Sequence, residues 1–472
     1  MRKYDYVFIG AGIASLMAVY QIKQTTPNAT ICILEKGNNL DDRKCPLLNS
    51  KVDKCVKCSP CNIVCGAAGA GAYNDGKIIK ATKDTKDYGG WLDEYIGQEN
   101  LIKYTNQVDE ILSNLIEEKY PLYYPSVDFK KECLKYDLHN HQAIIRHNGS
   151  DGNLKIMTAL IKLLKEQGVK IFCNIKIQNI SIKDKLIKYH DKLFIEDCLN
   201  YEKLIIAVGR TGTSWFVEFC KNNNISLENN RVDIGVRVEV DSNICSDIAK
   251  TIYEPKIWVK TKPYGDIVRT FCWNNGNAKV CIENNDGVLS VNGFANSEKG
   301  NDTGNSNFAL LSSIKFSTPF DKPTEYARYV ASLSNMIAGN NVLVQKFGDL
   351  ISGKRSTKHR LSQSTVIPTL PSAEAGDLSL ALPKRILDNI IDSIYQLNNI
   401  IPGISNYDTL LYSPEIKMYS SRPQFLNDKF EILKDVFSIG DCSGVTRSVS
   451  QAGGMGLFLI DQILEKENKL ND

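Results

Sequence analysis

The sequence predicts an α/β protein, with a doubly wound Rossmann-type domain interleaved with a second, mainly antiparallel-β domain. Three observations predict this class. The chain opens on a buried strand, a tight glycine turn, a helix and a second strand ending on an acidic residue, which is how a parallel sheet with crossover helices begins. From about Thr213 the text changes to short runs alternating apolar and polar residues, the period of half-buried antiparallel strands. The closing residues return to strand, glycine turn and helix, so the first sheet is finished by the end of the chain.

In order, "YDYVFIGAGIASLMAVYQIKQ" reads as strand, turn and helix, and "ATICILEKG" as the next strand, ending on Glu35. A cysteine-rich loop over 45–65 follows, and then a helical insertion at about 95–125, where "NLIKYTNQVDEILSNLIEEKY" has amphipathic spacing. "GNLKIMTALIKLLKEQGVKIFCNIKIQNISI" gives a helix, a glycine stop and a strand pair, and "YEKLIIAVGRTGT" a buried strand running into another glycine turn. These complete a first part at 1–212. Runs such as "RVDIGVRVEV", "DIVRTFCW" and "AKVCIE" place the second domain at 213–345, with "ANSEKGNDTGNSN" as a surface loop. A mixed connecting segment spans 346–430. The first domain then resumes at 431–472 with "DVFSIGDCSGVTRSVSQAGGMGLFLIDQILEKE".

Composition limits the function classes. The 472 residues are 43% hydrophobic and 24% charged, with a net charge of +3. That is globular composition, and too little charge to argue for nucleic acid or an anionic membrane surface. No apolar run approaches the roughly 18 residues that cross a bilayer. The apolar start carries Gly10 and Gly12 at nucleotide-loop spacing and lacks a cleavage site, which argues against an export signal. The expected compartment is cytoplasmic and reducing, where clustered cysteines bind metal or do redox work more often than they form bridges.

"GAGIAS", Gly10–Ala11–Gly12–Ile13–Ala14–Ser15, is G-x-G-x-x-S between a strand and a helix. Small residues let the backbone approach a pyrophosphate, and the helix start offers unpaired N–H groups and positive dipole. Glu35, followed by Lys36 at the tip of the next strand, is placed to accept from ribose hydroxyls.

The C-terminal "VFSIGDCSGVTRSVSQAGGMG" resembles the closing flavin motif of two-dinucleotide-type FAD proteins. The resemblance implies that strand-ending Gly440–Asp441 contacts the ribityl chain. It also implies that the amides at Gly444 and Val445 stabilise charge on reduced flavin. "KLIIAVGRTG" resembles the middle motif of the same proteins, with Ala207 and Gly209 near the cofactor, and "GVKIFCNIKIQNI" their adenine-contacting strand, with Ile177. The segment "GAAGAGAYNDGK" is implied to pass the pyrophosphate and flavin at Gly69 and Gly71, with Asp75 and Lys77 reaching the cofactor. Together with "RHNGSDG" and "VDIGVRVEV", these motifs resemble the predicted FAD-dependent dehydrogenases of bacteria and plastids. That family is related to geranylgeranyl-reductase-like and succinate-dehydrogenase-flavoprotein-like FAD oxidoreductases. FAD is the implied cofactor, and the family carries no settled substrate. No second strand–GxGxxG–helix unit is present, so electrons are expected from a transiently bound NAD(P)H, a ferredoxin-like carrier or the substrate itself.

Cys55, Cys58, Cys61 and Cys65 follow C-x2-C-x2-C-x3-C, with Cys45 upstream. This spacing is that of a bacterial ferredoxin run, with Gly66 in place of the usual proline. A [4Fe–4S] cluster is the leading reading, completed by Cys45 or Cys65. A four-thiolate zinc site, a redox dithiol beside the flavin and inert thiols are the alternatives. Candidates for chemistry are Arg237, which shares a strand face with Glu239, His147 in "RHNGSDG", and Lys354 beside Arg355 as an anion contact. The resulting expectation is an FAD-dependent oxidoreductase (dehydrogenase or reductase) acting on a small organic substrate, for instance by reducing an activated double bond. The alternatives are an electron-transfer module serving a protein partner and a flavin-dependent RNA-modifying enzyme.

Overall fold

The computed structural model describes residues 2–49, 51–73, 76–85, 90–276, 278–285, 287–295, 303–317, 319–320 and 322–471. Five strands form the parallel part of a first sheet, in the spatial order Val436–Ser438, Glu196–Ile206, Arg2–Ile9, Ile31–Leu34 and Lys170–Phe172. The apolar runs of Arg2–Ile9 and Ile31–Leu34 are buried on both faces at their carboxyl ends, as parallel strands covered by crossover helices must be. Helix Ile13–Thr25 and the C-terminal helix Val449–Asn471 pack together on one face, sharing a core with Phe8, Ile33 and Ile205. Leu204, Ile206 and Val7 point to the other face.

The insertion helix runs Asp93–Asn114, with a non-helical break at Gly97, and packs against the C-terminal helix. Lys77–Lys80 pairs antiparallel with Ile144–His147, opposing Lys77 to His147. Helix Gly149–Glu166 follows directly.

The second sheet is antiparallel except for one short pair at its edge. Its order is Glu374–Ala375, Leu343–Lys346, Leu410–Met418, Val232–Asp241, Asn305–Ile314, Ile267–Asn274, Lys256–Lys260 and Leu138–His141. The period-two reading of Val232–Asp241 holds along its length. Val232, Ile234, Val236, Val238 and Val240 face a core completed by helices Pro323–Ile337 and Lys384–Leu397. Asp233, Arg237 and Glu239 alternate with them and are equally buried. The hairpin Ala278–Asn285 with Val288–Ala295 lies on this polar face, where Gly293 sits so near Arg237 that a Cβ would fall 1.9 Å from its Nη2. Among the described residues no helix is long and apolar enough to cross a membrane.

Candidate cofactor and substrate site

The carboxyl ends of four parallel strands converge on one cavity. Gly10 follows Arg2–Ile9, Glu35 follows Ile31–Leu34, Ala207 follows Glu196–Ile206, and Gly440 lies just past Val436–Ser438. Open α/β sheets bind ligands at this edge. Gly10 has φ 100°, and a Cβ there would lie 2.4 Å from the Ala207 carbonyl oxygen, so neither the conformation nor the space admits another residue. Ser15 Oγ donates to the Gly10 carbonyl at 2.7 Å, which gives the serine in place of a third glycine a local role. The Glu35 carboxylate accepts from the amides of Ala11 and Gly37, each at 2.8 Å, and is held at the turn. Helix Ile13–Thr25 has no side-chain cap at Gly12, so its first-turn amides are left for an anion. Gly69, at φ 62°, brings its segment against that turn, with a Cβ position only 3.0 Å from Gly12 Cα.

At the other end, Asp441 accepts from Thr446 Oγ1 at 3.0 Å and lies 3.6 Å from Arg210. Burial pushes its carboxyl above the ordinary range, against the pull of Arg210 and Arg447. Arg447 donates to the Met418 carbonyl at 2.7 Å and lies over the Tyr419 ring at 4.8 Å. Burial, then the neighbouring Arg210, depress its pKa, and its Nη2 is a buried donor with no hydrogen-bond acceptor among the described residues. Tyr419 is fixed in turn by donating to Asp233 at 2.8 Å. Asp233 is paired with Arg269 at 2.6 Å. Burial opposes charge on Asp233, but Arg269 and then Arg231 outweigh it and hold its carboxyl below the ordinary range.

Between these ends lies a cavity of about 570 Å3, within the size range of cofactor and small-molecule sites. Of the residues singled out in the sequence, Gly10, Gly12, Ile13, Ala14, Glu35, Lys36, Gly69, Gly71, Lys77, Ile177, Ala207, Gly209, Gly440 and Asp441 line it. Ala11 and Ser15 are buried in the turn behind it. Gly444 takes φ 71°, and the Val445 carbonyl accepts from the Trp91 amide at 2.7 Å. Both shape the approach to the last helix from outside the wall. Asp75 lies outside the described residues. A strand-end glycine turn, a pinned acid, a half-buried carboxyl and a guanidinium with an open Nη2 donor along one cavity fit FAD. Glu35 would hold the ribose end and Asp441 the ribityl end.

The three residues proposed for chemistry are not brought to this wall. Arg237 is fully buried between Glu415 at 3.1 Å, Asn307 at 2.8 Å and the Cys272 carbonyl at 2.8 Å. Glu239 accepts from Tyr412 at 2.6 Å and from Thr369. The hairpin over their strand face separates both from the cavity. His147 packs against Tyr253 with ring centres 4.5 Å apart, across the strand pair from Lys77, which lies 5.7 Å from the same ring. Lys354 is exposed beyond the short helix Phe347–Ile351, and its carbonyl accepts from Gln345.

All fourteen cysteines are free thiols. Among the described residues, no group of three or more His, Cys, Asp or Glu stands in metal-ligating geometry. Cys65 turns inward and donates to Glu35 at 3.7 Å, at the ribose end of the cavity. Burial pushes its thiol up to about 12, so it stays protonated and is a poor nucleophile at neutral pH.

The cavity wall also has members that sequence reading missed: Glu254, Lys256, Lys417, Phe271, Cys272 and Tyr419. Glu254 pairs with Lys77 at 3.1 Å, both nearly buried, and accepts from the Cys272 amide. Lys417 is 3.4 Å from Glu415. The available signal was charge inside apolar strand text, as in "PEIKMY", since buried charges are rare without a partner or a task.

Residues 233–418 match the family described as "FAD-dependent protein, C-terminal domain-like". An uncharacterized protein of Clostridium beijerinckii is 22% identical, the match covering 98% of this chain and 80% of that protein. Solved structures similar to the chain include quinol fumarate reductase FrdA of E. coli, at 12% identity and a TM-score of 0.43, covering 99% of this chain and 71% of that one. A flavoprotein/dehydrogenase of Cytophaga hutchinsonii is 10% identical with a TM-score of 0.40, covering 98% and 79%. Glycine oxidase of Geobacillus kaustophilus is 9% identical with a TM-score of 0.40, covering 99% and 95%.

Proposed function

We propose that this chain is an FAD-dependent oxidoreductase that exchanges a hydride or electron pair with a small organic anion bound beneath the antiparallel sheet. One observation carries the reading: away from the ribose end, the cavity wall presents Lys77, Lys256, Lys417 and Arg447 against Glu254 and Asp441. Cations thus exceed carboxylates where a substrate would lie. Bound flavin supplies hydride acceptance and donation, and the protein supplies position and charge. Lys256 and Lys417 bind and orient a carboxylate. The Lys77–Glu254 pair, closed from solvent and held by the Trp273 carbonyl and the Cys272 amide, holds an exchangeable proton at Lys77 Nζ. Phe271 and Tyr419 exclude water beside it.

The test is anaerobic reoxidation of the reduced enzyme by unsaturated carboxylates and by their neutral amides. The carboxylates are expected to reoxidise it faster, and Lys417→Ala or Lys256→Ala to lose about 10–100-fold in kcat/KM, the worth of one charged hydrogen bond. Equal rates for acids and amides would remove the anionic substrate. Turnover only with a reduced carrier protein would replace it with the electron-transfer reading.

A further inference from the structure

The cations of the substrate wall come from well-separated parts of the antiparallel sheet. Lys256 starts the strand Lys256–Lys260, and Lys417 lies near the end of Leu410–Met418, with three strands between them. Both residues are buried, and both line the flavin cavity. Four steps between neighbouring strands, at about 4.8 Å each, put their backbones roughly 19 Å apart across the sheet. Register adds a second displacement. Lys417 opposes Asp233, whereas Lys256 lies 5.0 Å from the Phe271 ring, and Phe271 shares its row with Ala309 and Arg237. The step from Asp233 to Arg237 along their strand is about 13 Å. A lysine side chain reaches about 6 Å from its Cα, so two that lean together still leave roughly 10 Å between their ammonium groups. With charged hydrogen bonds of about 2.8 Å, the carboxylate that either lysine holds is out of reach of the other. Arg269 fills the interval, 4.8 Å over the Phe271 ring and 2.6 Å from Asp233.

We propose that the substrate is an elongated dianion, with one carboxylate held at Lys256 and a second at Lys417. This rests on the anionic substrate proposed from the same wall, and adds its length and its second charge. The distribution of charge supports two ends. Among the described residues, one end of the wall presents Lys77 and Lys256 with Glu254, and the other presents Lys417 and Arg447 with Asp441. The members of each end are tied together. Lys77 pairs with Glu254 at 3.1 Å, and Glu254 accepts from the amide of Cys272, next to the Phe271 that Lys256 overlies. Arg447 donates to the carbonyl of Met418, the residue after Lys417. Each end thus has one more cation than carboxylate. Glu415 lies 3.4 Å from Lys417 but is also paired with the buried Arg237 at 3.1 Å, so it leaves that balance unchanged. Between the ends, Asp233 and Arg269 pair with each other. A molecule with one carboxylate serves one end only, and a short dicarboxylate does not reach from one to the other.

The test is calorimetric binding to the oxidised, FAD-loaded full chain, which needs no turnover. Succinate is compared with butyrate, suberate with octanoate, and octanoate with octanamide. Suberate is expected to bind about 10–100-fold more tightly than octanoate, the worth of a second charged hydrogen bond. Succinate is expected to gain nothing comparable over butyrate. Lys256→Met and Lys417→Met should each abolish the suberate gain. The length series is run on the unmodified protein, so a variant that fails to fold does not remove the test. An equal gain in succinate, no gain at either length, or a gain that survives both substitutions would overturn the two-ended substrate. Each of these leaves the anionic substrate standing as long as octanoate binds more tightly than octanamide. Octanoate binding no better than octanamide would sink the anionic substrate, and the dianion with it.

Discussion

Asp233 shows how one side chain ties the substrate wall to acidity. It is fully buried, accepts from Tyr419, and is charged because Arg269 and Arg231 outweigh burial. Its folded pKa lies below its unfolded value, so its contribution to stability is complete above the unfolded value and is lost as pH falls through the folded one. Stability of the unmodified chain should therefore fall more steeply as pH drops below about 4 than that of Asp233→Asn. Denaturant midpoints measured across that range check it, and parallel curves would remove Asp233 as a source of the acid limb. Arg237 makes a second prediction. It shares a buried pair with Glu415, whose side chain is 1% exposed, so Arg237→Met leaves that buried carboxylate with Lys417, 3.4 Å away, as its remaining charged neighbour. The expected loss is about 3–5 kcal/mol of unfolding free energy. Denaturation of Arg237→Met beside the double variant Arg237→Met/Glu415→Leu checks it, because the double variant should recover most of that loss. Glu35→Gln keeps the size of the side chain but removes a charged acceptor; flavin retention should weaken by about tenfold, measured by fluorescence titration.

Short elements set how much of this was legible. The strand–glycine turn–helix units could be read directly, because a turn that must take φ 100° within 2.4 Å of another strand's carbonyl admits only glycine, and glycines are visible in text. The alternation in Val232–Asp241 was equally visible. It could not say whether the polar face was wet. Arg237 and Glu239 looked like cleft residues because their neighbours were apolar, and the covering hairpin comes from residues 278–295, far along the chain. Register within one strand is a local property, whereas burial of its second face depends on tertiary packing. The same limit hid Lys256 and Lys417, which reach the cavity from two well-separated strands of the antiparallel sheet, Lys256–Lys260 and Leu410–Met418. At this scale Gly69→Val is the informative change. It puts a β-branched side chain at φ 62°, 3.0 Å from Gly12 Cα, and should release flavin while the sheets stay folded. Unchanged circular dichroism with lost flavin absorbance is the expected pair of readings.

At the scale of the whole molecule, the cavity belongs to both sheets. One wall is strand ends of the parallel sheet and the other is Lys256, Phe271 and Lys417 from the antiparallel one, with Tyr419 just past the end of its strand. A ligand spanning this seam binds only when both are formed, so it stabilises them together by RT ln(1 + [L]/Kd), about 2.7 kcal/mol at a hundredfold excess over Kd. FAD should therefore raise one common thermal transition. Tryptophans report it from both parts, Trp215 near the parallel sheet and Trp273 within the antiparallel core. Two transitions, only one of them shifted by FAD, would show that the seam does not couple the sheets.

The ribose and ribityl ends of the cavity also lie far apart in time. Gly10 and Glu35 leave the ribosome early and Asp441 late. At about 5–20 residues per second, the interval between Gly10 and Asp441 is roughly 20–90 s. From the time it is made until the end of that interval, the strand Glu196–Ile206 lacks Val436–Ser438 at its side, leaving an unpaired edge of the kind that recruits other chains. Cofactor supply therefore cannot rescue a nascent chain that aggregates, whereas a chaperone that shields that edge can.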